Sequence, residues 1–217
     1  MTTAIVFDLD GTLADSTTCI VESSHHVADI HGLKRASDKA IRSMIGQPLA
    51  GMLASLFDIE GTLLQTAVAD YSTEYVRRAA FEERLFAGSI PLLNTLRSAG
   101  FLLAIATGKS QNGADHSTSR LGIKPLVDSV HGIVPGTPGK PDPAVLLRAM
   151  AALEKPPEEC IMIGDTTFDL DLAHAVGVKT AAVSWGVHSV ELLSTRNPAF
   201  MANDFQALTA WLLAQKR

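Results

Sequence analysis

Short apolar runs that end at a polar residue recur along the chain. They occupy residues 4–7 before Asp8, 101–106 before Thr107, 130–134, 161–163 before Gly164, and 180–183 before Ser184. Their apolar residues are mostly consecutive rather than alternate, which is typical of strands buried on both faces in a parallel sheet. The pattern therefore predicts five buried, parallel strands.

Segments with helical periodicity separate these runs. Apolar residues recur three and four positions apart in the segments 89–99, 110–121, 141–153, 167–176 and 204–215. Strands that alternate with helices are typical of an α/β protein with helices on both faces of its sheet. We therefore predict a doubly wound, Rossmann-like α/β core.

Residues 15–84 depart from this alternation. They show no strand pattern, and their helical periodicity is interrupted at Gly32, at residues 46–48 and at Gly61. We predict helices near 16–31, 38–45, 49–57 and 61–84, with Ser37 or Asp38 capping the second. This stretch is interpreted as an inserted helical domain, and residues 1–14 and 85–217 as the α/β domain.

Composition limits the class of partner. Of the 217 residues 47% are hydrophobic, and the formal net charge is −5. An acidic chain lacks the positive surface that nucleic acid or an anionic membrane requires, so we expect a small soluble partner. The N-terminus has no signal-peptide pattern, no apolar run is long enough to span a bilayer, and Cys19 and Cys160 are isolated. These features predict a cytoplasmic protein.

Polar residues lie where ligands of an open parallel sheet gather, outside the carboxyl ends of the strands. Asp8, Thr107 and Asp165 follow predicted strands, and Lys140 precedes a predicted helix. Carboxylates are ligands that Mg²⁺ prefers, whereas a hydroxyl, backbone N–H groups and an ammonium hold a phosphate dianion. The set therefore predicts a site for a phosphate group and a hard cation.

The segment Asp8-Leu9-Asp10-Gly11-Thr12 is the sharpest feature of the chain. In an extended chain Asp8 and Asp10 point to the same side, and Gly11 permits a sharp turn. The segment resembles the first signature of the haloacid dehalogenase superfamily, Asp-x-Asp-Gly-Thr. Residues 106–109 (Ala-Thr-Gly-Lys), 139–143 (Gly-Lys-Pro-Asp-Pro) and 163–169 (Ile-Gly-Asp-Thr-Thr-Phe-Asp) are similar to the other three, in order. The resemblance covers almost the whole chain, because the insertion is similar to the family's helical cap.

The resemblance implies a role for each signature residue. Asp8 would attack phosphorus and become an aspartyl-phosphate, and Asp10 would serve as general acid and then as general base. Thr107 and Lys140 would hold the phosphoryl group, with Lys140 also paired to Asp8. The Mg²⁺ ligands implied are Asp8, the backbone carbonyl of Asp10, Asp165 and, directly or through water, Asp169.

Further substrate-binding candidates are less tightly specified. The N–H of Gly108 and the ammonium of Lys109 follow Thr107, although Lys109 is equally compatible with a solvated lysine. A nucleotide-binding P-loop is excluded, because Leu103 stands where that motif needs glycine. In the insertion we take Arg42, Gly46 and Gln47 as candidates, with an exposed helix position as the alternative for Arg42.

The histidines show no metal-ligand spacing. His188 lies in a loop beyond the last predicted strand and is a candidate to approach the site.

The expected function is Mg²⁺-dependent hydrolysis of a small phosphorylated metabolite, by a monomer or homodimer. Among relatives the signatures look most like those of phosphoglycolate phosphatases. Dehalogenation is disfavoured, because dehalogenases do not need the acid/base that Asp10 would supply. Phosphonate cleavage is also disfavoured, because it would need a cap lysine in the site. A phosphomutase of the β-phosphoglucomutase type shares every core residue and stays open. So does a binding module that has lost activity, although all four signatures are intact.

Overall fold

The computed structural model describes residues 3–216 and has eight strands there. They are β1 (Ala4–Phe7), β2 (Ala14–Asp15), β3 (Arg84–Leu85), β4 (Leu102–Ser110), β5 (Ser129–Ile133), β6 (Cys160–Gly164), β7 (Lys179–Val183) and β8 (Phe200–Ala202). Six form a parallel sheet in the order β5-β4-β1-β6-β7-β8, and β2 pairs with β3.

Ten α-helices accompany these strands in the described part of the chain. They are α1 (Thr17–Ile30), α2 (Asp38–Arg42), α3 (Leu49–Phe57), α4 (Gly61–Glu82), α5 (Ser89–Ser98), α6 (Gln111–Arg120), α7 (Ala144–Ala152), α8 (Thr167–His174), α9 (Val190–Ser194) and α10 (Phe205–Leu213). The alternation of strand and helix confirms the predicted α/β class. Over residues 3–216 no helix combines the length and hydropathy that crossing a bilayer requires.

The strand order places a ligand-binding crevice beside β1. From β1 the chain fills one side of the sheet with β4 and β5, and then crosses to β6, β7 and β8 on the other side. Connections therefore diverge between β1 and β6, and such a switch point is where open α/β sheets bind ligands. The loops after these two strands carry Asp8 and Asp165.

Both faces of the sheet are covered by apolar residues. In β1, Ile5 and Phe7 pack into the cluster on one face, and Ala4 and Val6 pack into the cluster on the other. Alternate residues of a strand point to opposite faces, so burial on both sides requires every residue of the strand to be apolar. This explains the consecutive apolar runs of the sequence.

The helical stretch has an apolar cluster of its own. Its buried members come from all four helices and include Val27, Ile41, Leu53 and Tyr71. The observed helices agree closely with the predicted ones, and the Ser37 hydroxyl caps α2 by accepting a hydrogen bond from the N–H of Ala40 at 3.2 Å. The division into two domains near residues 15 and 84 stays a prediction.

Several elements differ from the sequence-based expectation. The stretch 15–84 was expected to lack strands, yet its two ends pair as β2 and β3, each too short to show a period. The sheet has a sixth strand, β8, which covers only three residues at an edge. Strand β4 runs to Ser110, so α6 begins at Gln111, and α7 begins after Pro143 rather than at residue 141.

Candidate active site

Asp8 lies directly after β1, at the switch point of the sheet. Its backbone N–H donates to the carbonyl of Ile163 at 2.8 Å, which ties the start of the loop to β6. The chain then turns at Gly11, whose φ of +81° favours glycine. A Cβ at Gly11 would also lie 2.2 Å from Oδ2 of Asp165, so both the backbone conformation and the space exclude a side chain.

Lys140 lies between two buried carboxylates. Its Nζ donates to Oδ1 of Asp8 and to Oδ1 of Asp169, at 2.6 Å each. Burial alone lowers the pKa of a lysine, but the two carboxylates outweigh it and leave the pKa of Lys140 above its ordinary value. Burial, with Asp169 and Asp165 nearby, raises the pKa of Asp8 although Lys140 opposes the change. Lys140 therefore stays charged within the cluster.

Asp165, after β6, is held by groups from two parts of the chain. Its Oδ1 accepts from the Thr12 hydroxyl at 2.8 Å, and its Oδ2 accepts from the N–H of Val187 at 2.8 Å. A Cβ at Gly186 would lie 2.1 Å from Oδ2. Burial and the nearby Asp169 raise the pKa of Asp165 to about 7. The carboxylate is thus fixed in place and, without a cation, inclined to take up a proton.

Asp169 has two structural partners. At the start of α8 its Oδ2 accepts from the Thr166 N–H at 3.1 Å and from the Thr166 hydroxyl at 2.7 Å, and the two residues form a capping box. Its Oδ1 pairs with Lys140. Asp169 therefore caps α8 and also belongs to the charged cluster.

Three carboxylates, those of Asp8, Asp165 and Asp169, offer oxygen atoms that all lie within 4.8 Å of one another. Each side chain is buried, and one ammonium, Lys140, balances one of the three charges. Oδ2 of Asp8 is buried and has no hydrogen-bond partner among residues 3–216. Such an oxygen, in a cluster with two surplus negative charges, fits a divalent cation with oxygen ligands.

Asp10 is held beside this cluster through one oxygen. Its Oδ1 accepts from the Ser16 hydroxyl at 2.5 Å and lies 3.0 Å from Nζ of Lys109. Over the described chain no hydrogen bond reaches Oδ2 of Asp10, which leaves that oxygen available for proton transfer.

Thr107 and Gly108 lie in the last part of β4. The strand was expected to end before Thr107, which is wrong, because β4 continues to Ser110 and the Ser110 hydroxyl caps α6. Thr107 is fully buried, and its hydroxyl accepts from the N–H of Lys109 at 3.3 Å. Thr107 therefore lies within β4 rather than at a helix end, in the part where the pairing of β4 with β5 is irregular.

The loop between α2 and α3 rests on the core. A Cβ at Gly108 would lie 2.3 Å from the carbonyl oxygen of Gly46 and 3.2 Å from that of Gln47. A Cβ at Gly139, beside Lys140, would lie 1.9 Å from Cγ of Pro48. The structure therefore brings Gly46 and Gln47 to the site through their backbone. Arg42 is exposed, and its side chain makes no hydrogen bond or ion pair with residues 3–216.

Comparison with known proteins agrees with this geometry. The sequence profile of the family described as haloacid dehalogenase-like hydrolase matches residues 5–183. The chain belongs to this family. A haloacid dehalogenase-like hydrolase from Streptococcus pneumoniae has a similar structure, with a TM-score of 0.85, 30% identity, and coverage of 97% of this chain and 98% of that one. Several of the chain's curated relatives carry the name phosphatase.

Two curated relatives differ in length and name. The phosphoglycolate phosphatase of Rhodospirillum rubrum is 27% identical over 98% of this chain and 91% of its own length. The tyrosine-protein kinase PtkA of Mycobacterium tuberculosis is 35% identical over 84% of this chain. The match covers only 62% of the length of PtkA, so the chain spans less than two thirds of that relative.

His188 joins the core of this haloacid dehalogenase-like protein to its helical stretch. Its Nδ1 accepts from the N–H of Thr167 at 3.0 Å, and its Nε2 lies 3.4 Å from the carbonyl oxygen of Ser43. These partners require a neutral ring protonated at Nε2, and burial lowers the pKa of His188 in agreement. The residue therefore approaches the site and contacts the loop that covers it.

Several residues around the site were not predicted from the sequence. Thr12 belongs to the first signature, so its place in the motif was a usable signal. Ser16 and Tyr75 carried none, because a serine before a helix and a tyrosine within one are common. The same holds for Glu83, which is fully buried beside Lys109 and Arg120. Only the folded chain shows that Ser16 contacts Asp10 and that Tyr75 and Glu83 contact Lys109, which pairs with Asp10.

Proposed function

We propose that this protein is a Mg²⁺-dependent phosphatase of small phosphorylated metabolites and that Asp8 forms an aspartyl-phosphate. The observation that carries the proposal is the cluster at the switch point. A buried carboxylate with one free oxygen lies beside a charged lysine and two further carboxylates. A nucleophile, a counter-ion and a cation site within one crevice are the parts that phosphoryl transfer needs.

The donor set supports Mg²⁺ as the cation. Asp8, Asp165 and, directly or through water, Asp169 would hold it together with the backbone carbonyl of Asp10, and all of these donors are oxygen atoms. When bound, Mg²⁺ supplies positive charge that stabilises the transferring phosphoryl group. It also balances the two surplus charges of the carboxylates.

The protein's own residues account for the two half-reactions. A carboxylate oxygen of Asp8 forms a bond to phosphorus as the ester P–O bond breaks, and the leaving oxygen takes a proton from Asp10. Water then attacks phosphorus, gives its proton to Asp10, and Asp8 leaves as a carboxylate. Lys140, the Thr107 hydroxyl and backbone N–H groups near Gly108 would hold the phosphoryl oxygens in both steps.

The helical stretch 15–84 would act as a cap over the core formed by 1–14 and 85–217. Close packing of the loop at Gly46 on Gly108 supports closure over the site and a small substrate. The R. rubrum relative supports 2-phosphoglycolate as the first ester to test. The two buried free cysteines are consistent with action in the cytoplasm. The net negative charge of the chain is consistent with a metabolite as the partner rather than a nucleic acid or a membrane.

Phosphate release from p-nitrophenyl phosphate and from a panel of metabolites tests the proposal. The panel includes 2-phosphoglycolate, phosphosugars, nucleotides and pyrophosphate, each assayed with Mg²⁺ and with EDTA. Turnover that needs Mg²⁺ supports the phosphatase, and the ester with the highest kcat/KM indicates the substrate class. No turnover of any ester would contradict the proposal and favour the phosphomutase or the binding module.

Mg²⁺ is expected to stabilise the protein more at about pH 8 than at about pH 5.5, by on the order of a few kcal/mol. Burial raises the pKa of Asp165 to about 7, above its unfolded value, so its protonation stabilises the metal-free fold at low pH. That stabilisation is lost as the pH rises through 7, where the free carboxylate becomes available to the cation. Thermal unfolding with Mg²⁺ and with EDTA at both pH values measures the difference. Asp165→Asn should reduce the difference, because the pKa of Asp8 is raised as well and its carboxyl still titrates. An equal Mg²⁺ effect at both pH values would contradict the assignment.

Gly108→Ala is expected to lower kcat/KM by about 10-fold or more, because the added Cβ would prevent the loop from closing. The nearest atom would be the Gly46 carbonyl oxygen at 2.3 Å. Gly51→Ala is the matched control, since a Cβ there meets nothing within 4 Å. Steady-state kinetics of both variants decide the point. Wild-type constants for Gly108→Ala would show that close packing at this position is not needed.

A further inference from the structure

The side chain of Lys109 turns towards the acid/base residue. Its Nζ lies 3.0 Å from Oδ1 of Asp10 and donates to the Tyr75 hydroxyl at 2.9 Å. Oε1 of Glu83 lies 3.9 Å away. Lys109 was expected to add charge at the phosphoryl site, but its only ion pairs among residues 3–216 are with Asp10 and Glu83. Its position calls for a different role.

Tyr75 and Glu83 connect Lys109 to the end of the helical stretch. Tyr75 lies on α4, and its hydroxyl donates to Oε1 of Glu83 at 2.5 Å. Glu83, the residue between α4 and β3, is fully buried and also paired with Arg120. Burial, with Asp10 and Glu83 nearby, raises the pKa of Tyr75, so its phenol stays neutral and keeps the proton that it donates. Lys109 thus has its full set of partners only while α4 lies on the core.

We propose that Lys109 is a positioning residue, which fixes Asp10 for proton transfer and makes its geometry depend on the docking of α4. This inference rests on the function proposed above. Lys109 and Ser16 together hold Oδ1 of Asp10. Oδ2 is left to protonate the leaving oxygen. As the P–O bond breaks, the electrons of that bond pass to the leaving oxygen, which takes the proton from Oδ2. When one oxygen of a carboxylate is held in a fixed position, the other oxygen is also oriented and is the one available for the reaction.

Dependence on the leaving group separates this role from a structural one. p-Nitrophenolate leaves without a proton, whereas the alkoxide of glycerol 3-phosphate requires one. Neither ester carries a second anionic group, so loss of a binding cation would affect both equally. The constant kcat/KM reports all steps through the release of the alcohol and therefore includes the proton transfer.

Lys109→Met is expected to lower kcat/KM for glycerol 3-phosphate by about 100-fold and for p-nitrophenyl phosphate by less than about 5-fold. Tyr75→Phe leaves the ion pair between Lys109 and Asp10 in place. It should lower kcat/KM for glycerol 3-phosphate by about 10-fold, again with a smaller loss for p-nitrophenyl phosphate. Lys109→Arg should recover part of the activity on the alkyl ester. The control is Lys124→Met, which removes a lysine that is half exposed and paired with Asp115.

A double-mutant cycle completes the test. If Lys109 acts through Asp10, Lys109→Met should cause no further loss on either ester in the Asp10→Asn background. Equal losses on both esters, or additive losses in the cycle, would overturn the positioning role while leaving the phosphatase intact. If Lys109→Met does not fold, Tyr75→Phe and Lys109→Arg still decide the question. A wild-type protein that turns over neither these esters nor the panel would overturn both proposals.

Discussion

Asp8→Asn is expected to lower Mg²⁺-dependent phosphate release by at least about 1000-fold. The amide that replaces the carboxylate is a poor nucleophile, and Asp8 lies at the switch point with its carboxylate paired to Lys140. Initial rates on p-nitrophenyl phosphate measure the loss. Intact-mass spectrometry of acid-quenched protein should show one phosphoryl group on the wild-type chain and none on the variant.

Stability and a matched control separate lost chemistry from lost folding. Asp8→Asn removes one of three crowded carboxylates, so the metal-free variant should unfold at the same temperature as wild type or higher. Asp171→Asn makes the same change at a residue of α8 that pairs with Arg196 at 2.9 Å, and it should remain active. Retention of more than about a tenth of wild-type activity by Asp8→Asn would rule out the covalent route.

Lys140→Met is expected to lower turnover by about 100- to 1000-fold and to destabilise the metal-free protein by roughly 3–5 kcal/mol near neutral pH. Lys140 is the shared partner of Asp8 and Asp169, and it is fully buried between them. Methionine has a similar length but no charge, so two buried carboxylates would face each other without a counter-ion. The same charge would be missing from the phosphoryl site.

The pH dependence identifies the cause of this destabilisation. Without Lys140 the pKa of Asp8, already raised by burial, would rise further, and protonation would then stabilise the variant at low pH. The stability gap to wild type should therefore narrow as the pH falls. Thermal unfolding in EDTA across pH measures it. The control is Lys155→Met, which removes a partly buried pair to Glu159 outside the site. A gap that is constant with pH would point to lost packing instead.

Local pattern in the sequence determined the architecture and the identity of the charged residues. Consecutive apolar runs predicted buried parallel strands, because a strand covered on both faces needs apolar residues at every position. The order of the four signatures placed Asp8, Thr107, Lys140 and Asp165 at strand ends or loops. A parallel sheet brings its carboxyl ends to one edge, and Asp8, Lys140 and Asp165 indeed lie in one cluster. Their catalytic roles stay predictions.

Elements without a local pattern were decided by tertiary structure. Strands β2 and β3 have two residues each and exist because the two ends of the helical stretch run side by side. Edge strand β8 has three residues, too few for any periodicity to show. Strand β4 is longer than its apolar run, because it continues through Thr107 and Gly108. These two residues are buried by the residues packed around them, although neither is strongly hydrophobic. A local window contains none of these neighbours.

The direction of each side chain in the site was likewise settled by long-range contacts. Thr12 holds Asp165 across 153 positions of the chain, and Lys109 meets Tyr75 across 34. A lysine after a strand is equally compatible with binding phosphate, pairing with a carboxylate or reaching solvent. The choice depends on which charges the fold brings within about 4 Å, because ionic attraction falls with distance and is strengthened by burial. Sequence thus determined which groups were available for chemistry, and tertiary structure decided which of them meet.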